Sequence, residues 1–359
     1  MQSRGGNVMA GIVSKVERRT IKRAIMLTKG LAYFVSVVGC LGWAGFANAE
    51  VSTVRIAKQY GVAYLPLTVM ENQKLLEKHA KELGLDVKTE WMRFASGSAM
   101  NDGLLSGNLD FAAGGLGPMI LMWSKTQDKI KVKAVGALCT MALHLVTTNP
   151  DVKSVADFTS KDRIAMPGIK TSYQALLLQQ ALIKKLGPDQ AHKLDAITVA
   201  LGHPDAMAAL LGGQSEINSH FTSPPFYSQE MADPRVRSVL NSYDVFGGPL
   251  TFTMVWATTT FADSNPKVMK AFTAALDDAM AQINADPAAA AKIWLKAENV
   301  KISEVEAEKI VRDPETKWTT SPQNVFAFYE YMYKAGIVKT KASSWKDLFF
   351  PAMIPASGS

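Results

Sequence analysis

The sequence predicts an α/β fold in two lobes, and three observations support this prediction. Short apolar strands alternate with turns and helices over 54–137, and the same alternation begins again over 144–220. Strand-like segments at 138–145 and 250–257 join these two units. Beyond residue 265 the pattern is helical throughout. We therefore expect two α/β units hinged by two crossing strands, with a cleft between them that can close around a ligand.

In the first unit, each of the first three strands is followed by a turn that contains glycine or serine. Pro66 opens the first helix, in which apolar side chains recur at helical spacing, and Gly84 ends it. A second, shorter helix ends at Gly107. The strands are predicted at 54–58, 86–94, 111–113 and 130–137, and these two helices at 66–83 and 99–106.

The second unit repeats this order. A connection over 150–162 follows its first strand, and Pro204 opens its second helix, which Gly212 and Gly213 close. The strands are predicted at 144–148, 163–166, 198–201 and 216–220, and the helices at 173–186 and 203–211.

The C-terminal third begins with one long strand at 250–260 and continues only in helices. Three of the four helices begin at a proline, which suits the first helical turn. They are predicted at 266–285, 287–297, 303–311 and 322–335. Because this third has no sheet of its own, we assign 250–359 to lobe 1 together with 50–140, and 141–249 to lobe 2.

Composition excludes some functions. The chain has 359 residues, of which 48% are apolar, so it can bury a sizeable core. Residues 1–49 hold seven basic residues and one acidic residue, which leaves 32 basic and 31 acidic residues over 50–359. The formal charge of +7 therefore belongs mainly to the leader, and we do not expect nucleic acid as a partner. Cys139 is the one cysteine after residue 49, so the body of the protein has no internal disulfide.

Residues 1–49 have the three parts of a secretory signal peptide. A basic stretch to Lys29 precedes an apolar run at 31–46 and small residues up to Ala49. The run of sixteen residues is short for a membrane anchor, which must cross ~30 Å of hydrocarbon. A second processing site competes, because the residues before Cys40 resemble a bacterial lipobox. We favour cleavage after Ala49, and export to the periplasm.

The common catalytic signatures are absent. The chain has no G-x-S-x-G, no H-E-x-x-H, no Walker loop, no G-x-G-x-x-G and no C-x-x-C. Its five histidines include no i, i+4 pair that could form a metal-binding face on a helix. We therefore predict a protein that is not an enzyme, with no catalytic residues, no cofactor and no metal site.

Three small-residue turns recur where a strand ends and a helix begins. Such turns leave backbone N–H groups and hydroxyls at a helix N-terminus, where the helix dipole favours anions. In an α/β sheet these ends face the ligand crevice. Ordinary helix capping by serine and threonine is the alternative for each turn. The turns are Ser96-Gly97-Ser98, Gly115-Leu116-Gly117 and Lys170-Thr171-Ser172.

Two further side chains are candidates from their positions alone. Tyr60 follows the first strand and provides a wall for a ligand or packs on the lobe surface. His220 ends a strand and either points into the cleft as a hydrogen-bond donor or is a core histidine with satisfied hydrogen bonds.

The motifs resemble a known family, the periplasmic solute-binding proteins of ABC importers, in the nitrate, sulfonate, taurine and thiamine-precursor branch. The resemblance runs in order over 50–350, although each motif is short. The segments that carry it are 54–57, 106–111, 115–118, 157–158, 163–168, 213–217 and 344–349.

This resemblance implies the two-lobed type II binding-protein fold and a function. A small anion or organic acid, of the sulfonate, nitrate, taurine or aromatic carboxylate type, binds between the lobes and is delivered to a permease in the inner membrane. A monomer is expected. The family's ligand-binding loops correspond to the three turns above and also to Tyr60, Gly61, Tyr173, His220, Thr222 and Ser223.

Two alternatives stay open. Pyrimidine synthases that act on thiamine precursors share the fold, but they carry a cysteine cluster, whereas the mature chain here has only Cys139. A ligand-sensing protein that signals to a membrane partner would have the same sequence features as a transport protein.

Overall fold

The computed structural model describes residues 49–128, 130–355 and 357–359. The predicted leader, including Cys40, lies outside the described residues except for Ala49. No helix in the described ranges is long and apolar enough to cross a membrane.

The first stretch of the chain alternates strands and helices as predicted, with one correction. The single helix predicted at 66–83 is wrong, because Lys74 adopts a left-handed conformation with φ of 52° and divides it. The elements in order are β1 (Thr53–Lys58), α1 (Leu65–Gln73), α2 (Leu75–Glu82), β2 (Lys88–Arg93), α3 (Gly97–Leu105), β3 (Phe111–Gly115), α4 (Leu116–Lys125) and β4 (Val132–Thr140).

The middle stretch builds a second sheet and includes three elements that the sequence pattern did not predict. These are a strand and two short helices between residues 226 and 246. The elements in order are β5 (His144–Thr147), β6 (Ile164–Met166), α5 (Tyr173–Leu186), β7 (Thr198–Ala200), α6 (His203–Gly212), β8 (Ser219–Thr222), α7 (Phe226–Met231), β9 (Arg237–Asn241) and α8 (Ser242–Phe246).

The C-terminal stretch is mostly helical. Its last helix starts at Val325 and not at the predicted Pro322, because Asn324 has a positive φ of 53° and the Pro322 carbonyl accepts a hydrogen bond from Ser359 N. The elements in order are β10 (Thr251–Thr258), α9 (Thr259–Ser264), α10 (Pro266–Ala285), α11 (Pro287–Glu298), α12 (Glu304–Val311), β11 (Lys317–Trp318) and α13 (Val325–Lys334).

The strands form two sheets, which confirms the predicted two-lobed α/β fold. We call the six-stranded sheet, in the order β11-β4-β10-β3-β1-β2, and its helices lobe 1. The five-stranded sheet, in the order β7-β6-β8-β5-β9, and its helices are lobe 2. The exact lobe boundaries at 140/141 and 249/250 stay predictions.

Neither sheet is wholly parallel, which corrects the expectation from the strand–helix alternation. β1 is parallel to β2 and β3, and β6 is parallel to β7 and β8. β10 is antiparallel to β3 and β4, and β5 is antiparallel to β8 and β9. These four antiparallel pairs involve β5 and β10, the strands on which the chain enters each lobe from the other. The short strand β11 is also antiparallel to its neighbour β4.

The first crossing segment is not one continuous strand. β4 ends at Thr140 and β5 starts at His144, and the backbone between them bonds to Ser242 instead of a sheet. Leu143 N donates to Ser242 Oγ at 2.8 Å, and Ser242 N donates to Leu143 O at 2.8 Å. This fixes the first crossing to the start of α8. The second crossing, predicted as a strand at 250–257, is also not a hinge strand between lobes, because β10 lies within the sheet of lobe 1.

The C-terminal helices complete lobe 1 and also reach lobe 2. α10 and α11 pack on α1 and α2, and Trp256 and Trp294 are fully buried in this core. α13 contacts both lobes, because its Phe328 ring lies 5.3 Å from the ring of Tyr173 in α5.

Candidate functional site

Two of the predicted turns meet face to face across the lobes. Ser96 caps α3 by accepting from Ala99 N at 3.3 Å, and Ser172 caps α5 by accepting from Ala175 N at 3.1 Å. Both serines therefore do the capping that was the alternative to ligand binding. The next hydroxyls approach each other, with Ser98 Oγ 3.4 Å from Thr171 Oγ1. The turns at the two helix N-termini thus lie on either side of one narrow gap.

The third predicted turn supplies a close contact between the lobes. β3 ends at Gly115 and α4 begins at the next residue, so the chain makes no separate turn there. A Cβ atom on Gly115 would lie 2.7 Å from Tyr173 Cβ, and one on Gly117 would lie 2.5 Å from Leu176 Cδ1. Glycine at these positions lets α5 of lobe 2 rest against the backbone of lobe 1. Leu116 is fully buried beside them.

The lobes also touch at the loop after β1. Gly61 has a positive φ of 111°, and a Cβ atom there would lie 3.3 Å from the Pro224 carbonyl oxygen. Val62 N donates to that same carbonyl at 3.4 Å. Tyr60 lies under the Arg93 guanidinium, 5.5 Å from ring centre to Cζ, and is 37% exposed.

An inner cavity lies between these contacts. Its volume of about 20 Å³ has room for roughly one water molecule, so a larger solute fits only when the lobes separate. Five of the predicted residues line it: Tyr60, Gly97, Gly115, Ser172 and Tyr173. The other lining residues are Gln59, Tyr64, Pro118, Pro167, Gln174, His203 and Phe252.

An outer cavity of about 370 Å³ adjoins the inner one at Tyr60. Both lobes line it, through the first residues of α6 and α7 on one side and the end of α11 on the other. Arg93, Glu298 and Lys301 bring charge to its wall, whereas the lining of the inner cavity carries polar and apolar groups and one imidazole.

The remaining predicted residues lie around the inner cavity but outside its lining. Lys170 has a left-handed φ of 64° and is exposed. His220, Thr222 and Ser223 are buried at the end of β8. A larger cavity of about 550 Å³ between α5, α8 and α13 contains none of the predicted residues.

Behind the inner cavity lies a chain of three buried side chains, which we call the histidine chain: His203, His220 and Glu230. His203 Nδ1 is 2.8 Å from His220 Nε2, and His220 Nδ1 is 2.5 Å from Glu230 Oε1. His220 and Glu230 are 0% exposed and His203 is 5% exposed. His220 is therefore a core histidine with hydrogen-bond partners, the second of the two predicted readings.

Burial dominates the protonation of the histidine chain. It raises the pKa of Glu230 to about 8, against a smaller lowering by the Thr222 hydroxyl. It lowers the pKa of His220 to about 3. Burial, and then the neighbouring His220, lower the pKa of His203 well below its ordinary value. All three groups therefore favour their uncharged forms near neutral pH.

Lobe 1 has its own buried polar group, which we call the lysine cluster: Lys58, Thr68, Glu71 and Glu298. Lys58 Nζ donates to Thr68 Oγ1 at 2.6 Å, and Thr68 Oγ1 donates to Glu298 Oε1 at 2.8 Å. Lys58 also forms ion pairs with Glu71 at 2.9 Å and Glu298 at 3.5 Å. Here a buried amine is compensated by two carboxylates.

Sequence reasoning missed His203, Gln174 and Glu230 as neighbours of the site. The signal for His203 was present, because Gly202-His203-Pro204 is another junction between a strand and a helix. Glu230 lies on the unpredicted α7. In the described part of the chain, no group of three or more His, Cys, Asp or Glu side chains has an arrangement that could hold a metal ion.

Comparison with known proteins identifies the family. The model of the NMT1-like family matches residues 47–296, which is more than half of the chain. The chain therefore belongs to the NMT1-like family. No curated protein matches the sequence.

Several solved structures share the fold. The alkanesulfonate-binding protein SsuA of Xanthomonas axonopodis pv. citri, bound to MOPS, is 18% identical with a TM-score of 0.64, over 87% of this chain and 100% of that one. The periplasmic aliphatic sulphonate binding protein SsuA of Escherichia coli is 21% identical with a TM-score of 0.60, over 84% and 92%. The periplasmic nitrate-binding protein NrtA of Synechocystis PCC 6803 is 16% identical with a TM-score of 0.63, over 83% and 84%. These similarities confirm the predicted resemblance to periplasmic solute-binding proteins.

Proposed function

We propose that this member of the NMT1-like family is the extracytoplasmic solute-binding component of an ABC importer. It captures a small anion or organic acid, of the sulfonate, nitrate, taurine or aromatic carboxylate class, between its lobes and delivers it to a permease in the inner membrane. The family match and the binding proteins that share the fold support this proposal.

One observation carries the proposal: two helix N-terminal turns, one from each lobe, face each other at the inner cavity. Ser98 lies in the first turn of α3 and Thr171 just precedes the cap of α5, and their hydroxyl oxygens are 3.4 Å apart. Free N–H groups and hydroxyls at such ends suit an anion. A solute held from both sides binds the closed arrangement more tightly than the open one.

Closure follows from that difference in affinity. A solute that contacts both lobes shifts the population toward the closed form by as much as it prefers that form. We propose that the permease binds this closed shape. The inner cavity is too small for an organic anion with the lobes in contact, so the solute enters the open form first.

A thermal-shift screen of the purified protein tests the function. The solutes are nitrate, taurine, alkanesulfonates, aromatic carboxylates and sulfonates, pyrimidines and bicarbonate. A ligand that binds only the folded state raises the free energy of unfolding by about 2.7 kcal/mol when its concentration is a hundred times its Kd. A melting temperature unchanged by every one of these solutes contradicts the proposed ligand class.

Two substitutions then test the assigned turns. Ser98→Ala and Thr171→Ala each remove one hydroxyl at the gap, and we expect each to weaken solute binding about tenfold or more, because a hydrogen bond to a charged group contributes about 1.5–3 kcal/mol. Ser264→Ala, on an exposed serine of α9, is the matched control. Unaltered affinity in both cleft variants would remove the turns from the site.

Two further measurements separate the alternatives. We propose that the protein is not an enzyme, since the named structural neighbours are binding proteins, and turnover of a bound pyrimidine would overturn this. We also propose periplasmic export through the signal peptide. The mass of the mature protein distinguishes an N-terminus at Glu50 from a lipid-modified Cys40.

A further inference from the structure

The histidine chain connects the inner cavity to the interior of lobe 2. His203 lines the cavity, His220 lies behind it on β8, and Glu230 lies behind that on α7. At the cavity end, the His203 Nε2 atom is 3.4 Å from Gln174 Nε2. At the other end, Glu230 Oε2 is buried and has no hydrogen-bond partner among the described residues.

The histidine chain has two self-consistent arrangements of protons, since each nitrogen of a neutral imidazole either donates or accepts. With Glu230 ionised, Oε1 accepts from His220 Nδ1–H, His220 Nε2 accepts from His203 Nδ1–H, and His203 Nε2 is a bare acceptor at the cavity. With one proton added, Glu230 donates to His220 Nδ1, and His220 Nε2–H donates to His203 Nδ1. The proton of His203 then lies on Nε2. One proton therefore reverses every hydrogen bond and turns the cavity end into a donor.

The burial of Glu230 favours the second arrangement, whereas the Gln174 N–H beside His203 Nε2 favours the first when no solute is bound. An ionised Glu230 would be a fully buried charge, which is costly without a partner of opposite charge. The groups that face the chain are the neutral Thr222, the amide of Gln174 and the Phe226 ring stacked on His203 at 5.4 Å. Among charged groups, Asp205 on α6 is exposed, and Arg93, Glu298 and Lys301 line the adjoining outer cavity. The raised pKa of Glu230 and the lowered pKa values of both histidines agree with this geometry.

We propose that His203 contacts the solute, that its Nε2–H group donates to an anionic oxygen, and that Glu230, acting through His220, is the positioning residue that keeps this donor in place. The Gln174 amide nitrogen lies 3.4 Å from that Nε2. An amide N–H can only donate, so this contact is a hydrogen bond in the first arrangement. In the second arrangement the two N–H groups face each other and share an acceptor, which an anionic oxygen supplies. The uncharged histidine chain thus supplies the hydrogen-bond donor on the lobe 2 side, and anion binding requires that Glu230 keep its proton.

The solute contact in this inference rests on the proposed function. The tautomers of His203 and His220 do not depend on it. Its first test is isothermal titration calorimetry of the full protein between pH 6 and 9.5, with methanesulfonate, nitrate or benzoate as the probe. None of these probes titrates in that range. For the wild-type protein we expect constant affinity at low pH and a tenfold fall per pH unit once Glu230 ionises.

Glu230→Gln replaces the protonated acid with an amide that also donates to His220, so we expect a flat pH profile. Glu216→Gln, an 84% exposed carboxylate of the same lobe, should keep the wild-type profile. His203→Gln should weaken binding at least tenfold at pH 7. A Glu230→Gln protein that shows the wild-type fall in affinity overturns the inference.

The second test needs no solute. In protein labelled with ¹⁵N-histidine, the ring nitrogen shifts report which nitrogen carries the proton, and the spectra of His203→Gln and His220→Gln assign the signals. We expect both residues to be Nε2–H at pH 7 and to become Nδ1–H as pH rises, with no such change in Glu230→Gln. If no solute of the thermal-shift screen binds, the proposed function fails, and a tautomer change still supports the role of Glu230. Histidines that keep one tautomer throughout overturn that role.

Discussion

The lysine cluster and the histidine chain are both buried beside the cleft, one in each lobe, yet they handle charge in opposite ways. The side chains of Lys58 and Glu298 are 2% and 4% exposed, and each has a partner of opposite charge. Glu230 is equally buried, but its neighbour is a neutral imidazole. The first cluster is an ion pair held inside the protein, and the second avoids charge by keeping a proton.

The difference shows which of the two buried groups responds to a change in pH. A compensated pair such as Lys58 and Glu298 acts in stability. An uncompensated acid such as Glu230 gains or loses its proton as pH changes. Through the two imidazoles, this proton decides whether His203 Nε2 donates or accepts at the cavity. We therefore expect substitutions in lobe 1 to change stability and substitutions in lobe 2 to change pH dependence.

The largest expected effect is in the lysine cluster. Lys58→Met removes the buried cation and leaves Glu298 without its closest charged partner, so we expect a loss of about 3 kcal/mol in the free energy of unfolding. Urea denaturation measures this loss. Glu71→Gln removes the 38% exposed partner and should cost below about 1 kcal/mol. Equal losses in the two variants would show that burial does not distinguish them.

The next effect is a change in how stability depends on pH. Above about pH 6.5 the unfolded state has ionised glutamates, whereas folded Glu230 keeps its proton up to about pH 8. The folded state then binds one more proton than the unfolded state, and stability falls as pH rises, by about 2 kcal/mol over this range. Below about pH 6.5, His203 and His220 take up protons in the unfolded state but stay neutral in the folded state. The free energy of unfolding therefore also falls as pH decreases.

Urea midpoints of wild-type protein and Glu230→Gln at pH 6.5 and 8.5 check this prediction. The variant should lose the decline toward alkaline pH, and the exposed Glu216→Gln should keep it. The same decline in all three proteins would mean that Glu230 is ionised when folded.

The smallest expected effect concerns Arg93, which lies at the edge of the lysine cluster. Arg93 Nη2 lies 3.7 Å from Glu298 Oε1, but the arginine side chain is 30% exposed. Arg93→Gln should therefore cost below about 1 kcal/mol, and the cost should shrink further in high salt. A loss as large as that of Lys58→Met would place Arg93 inside the cluster.

Local sequence patterns predicted the order of the elements and several helix starts, because a cap or a proline acts within a few residues. Ser96 and Ser172 cap helices where the sequence placed turns, and Pro266 and Pro287 open helices as expected. The antiparallel strands β5 and β10 were not predictable from alternation, since their direction depends on how the chain passes between lobes.

The candidate site was predictable only in part, because proximity in space depends on sheet order. His203 and His220 belong to different elements, and they meet because β7 and β8 flank β6 in the sheet of lobe 2. Gly115 and Gly117 were predicted as ligand-binding residues, and the structure places them against α5. Whether they also bind solute stays a prediction.

The position of β10 also bears on how the chain is made. β3 and β4 are complete at residue 140, but β10, which lies between them in the sheet, comes roughly 110 residues later. Pairing over such a sequence separation is slow, and synthesis is slower still. A ribosome must therefore finish most of the polypeptide before this sheet can close. Until then the nascent chain keeps unpaired strand edges at β3 and β4.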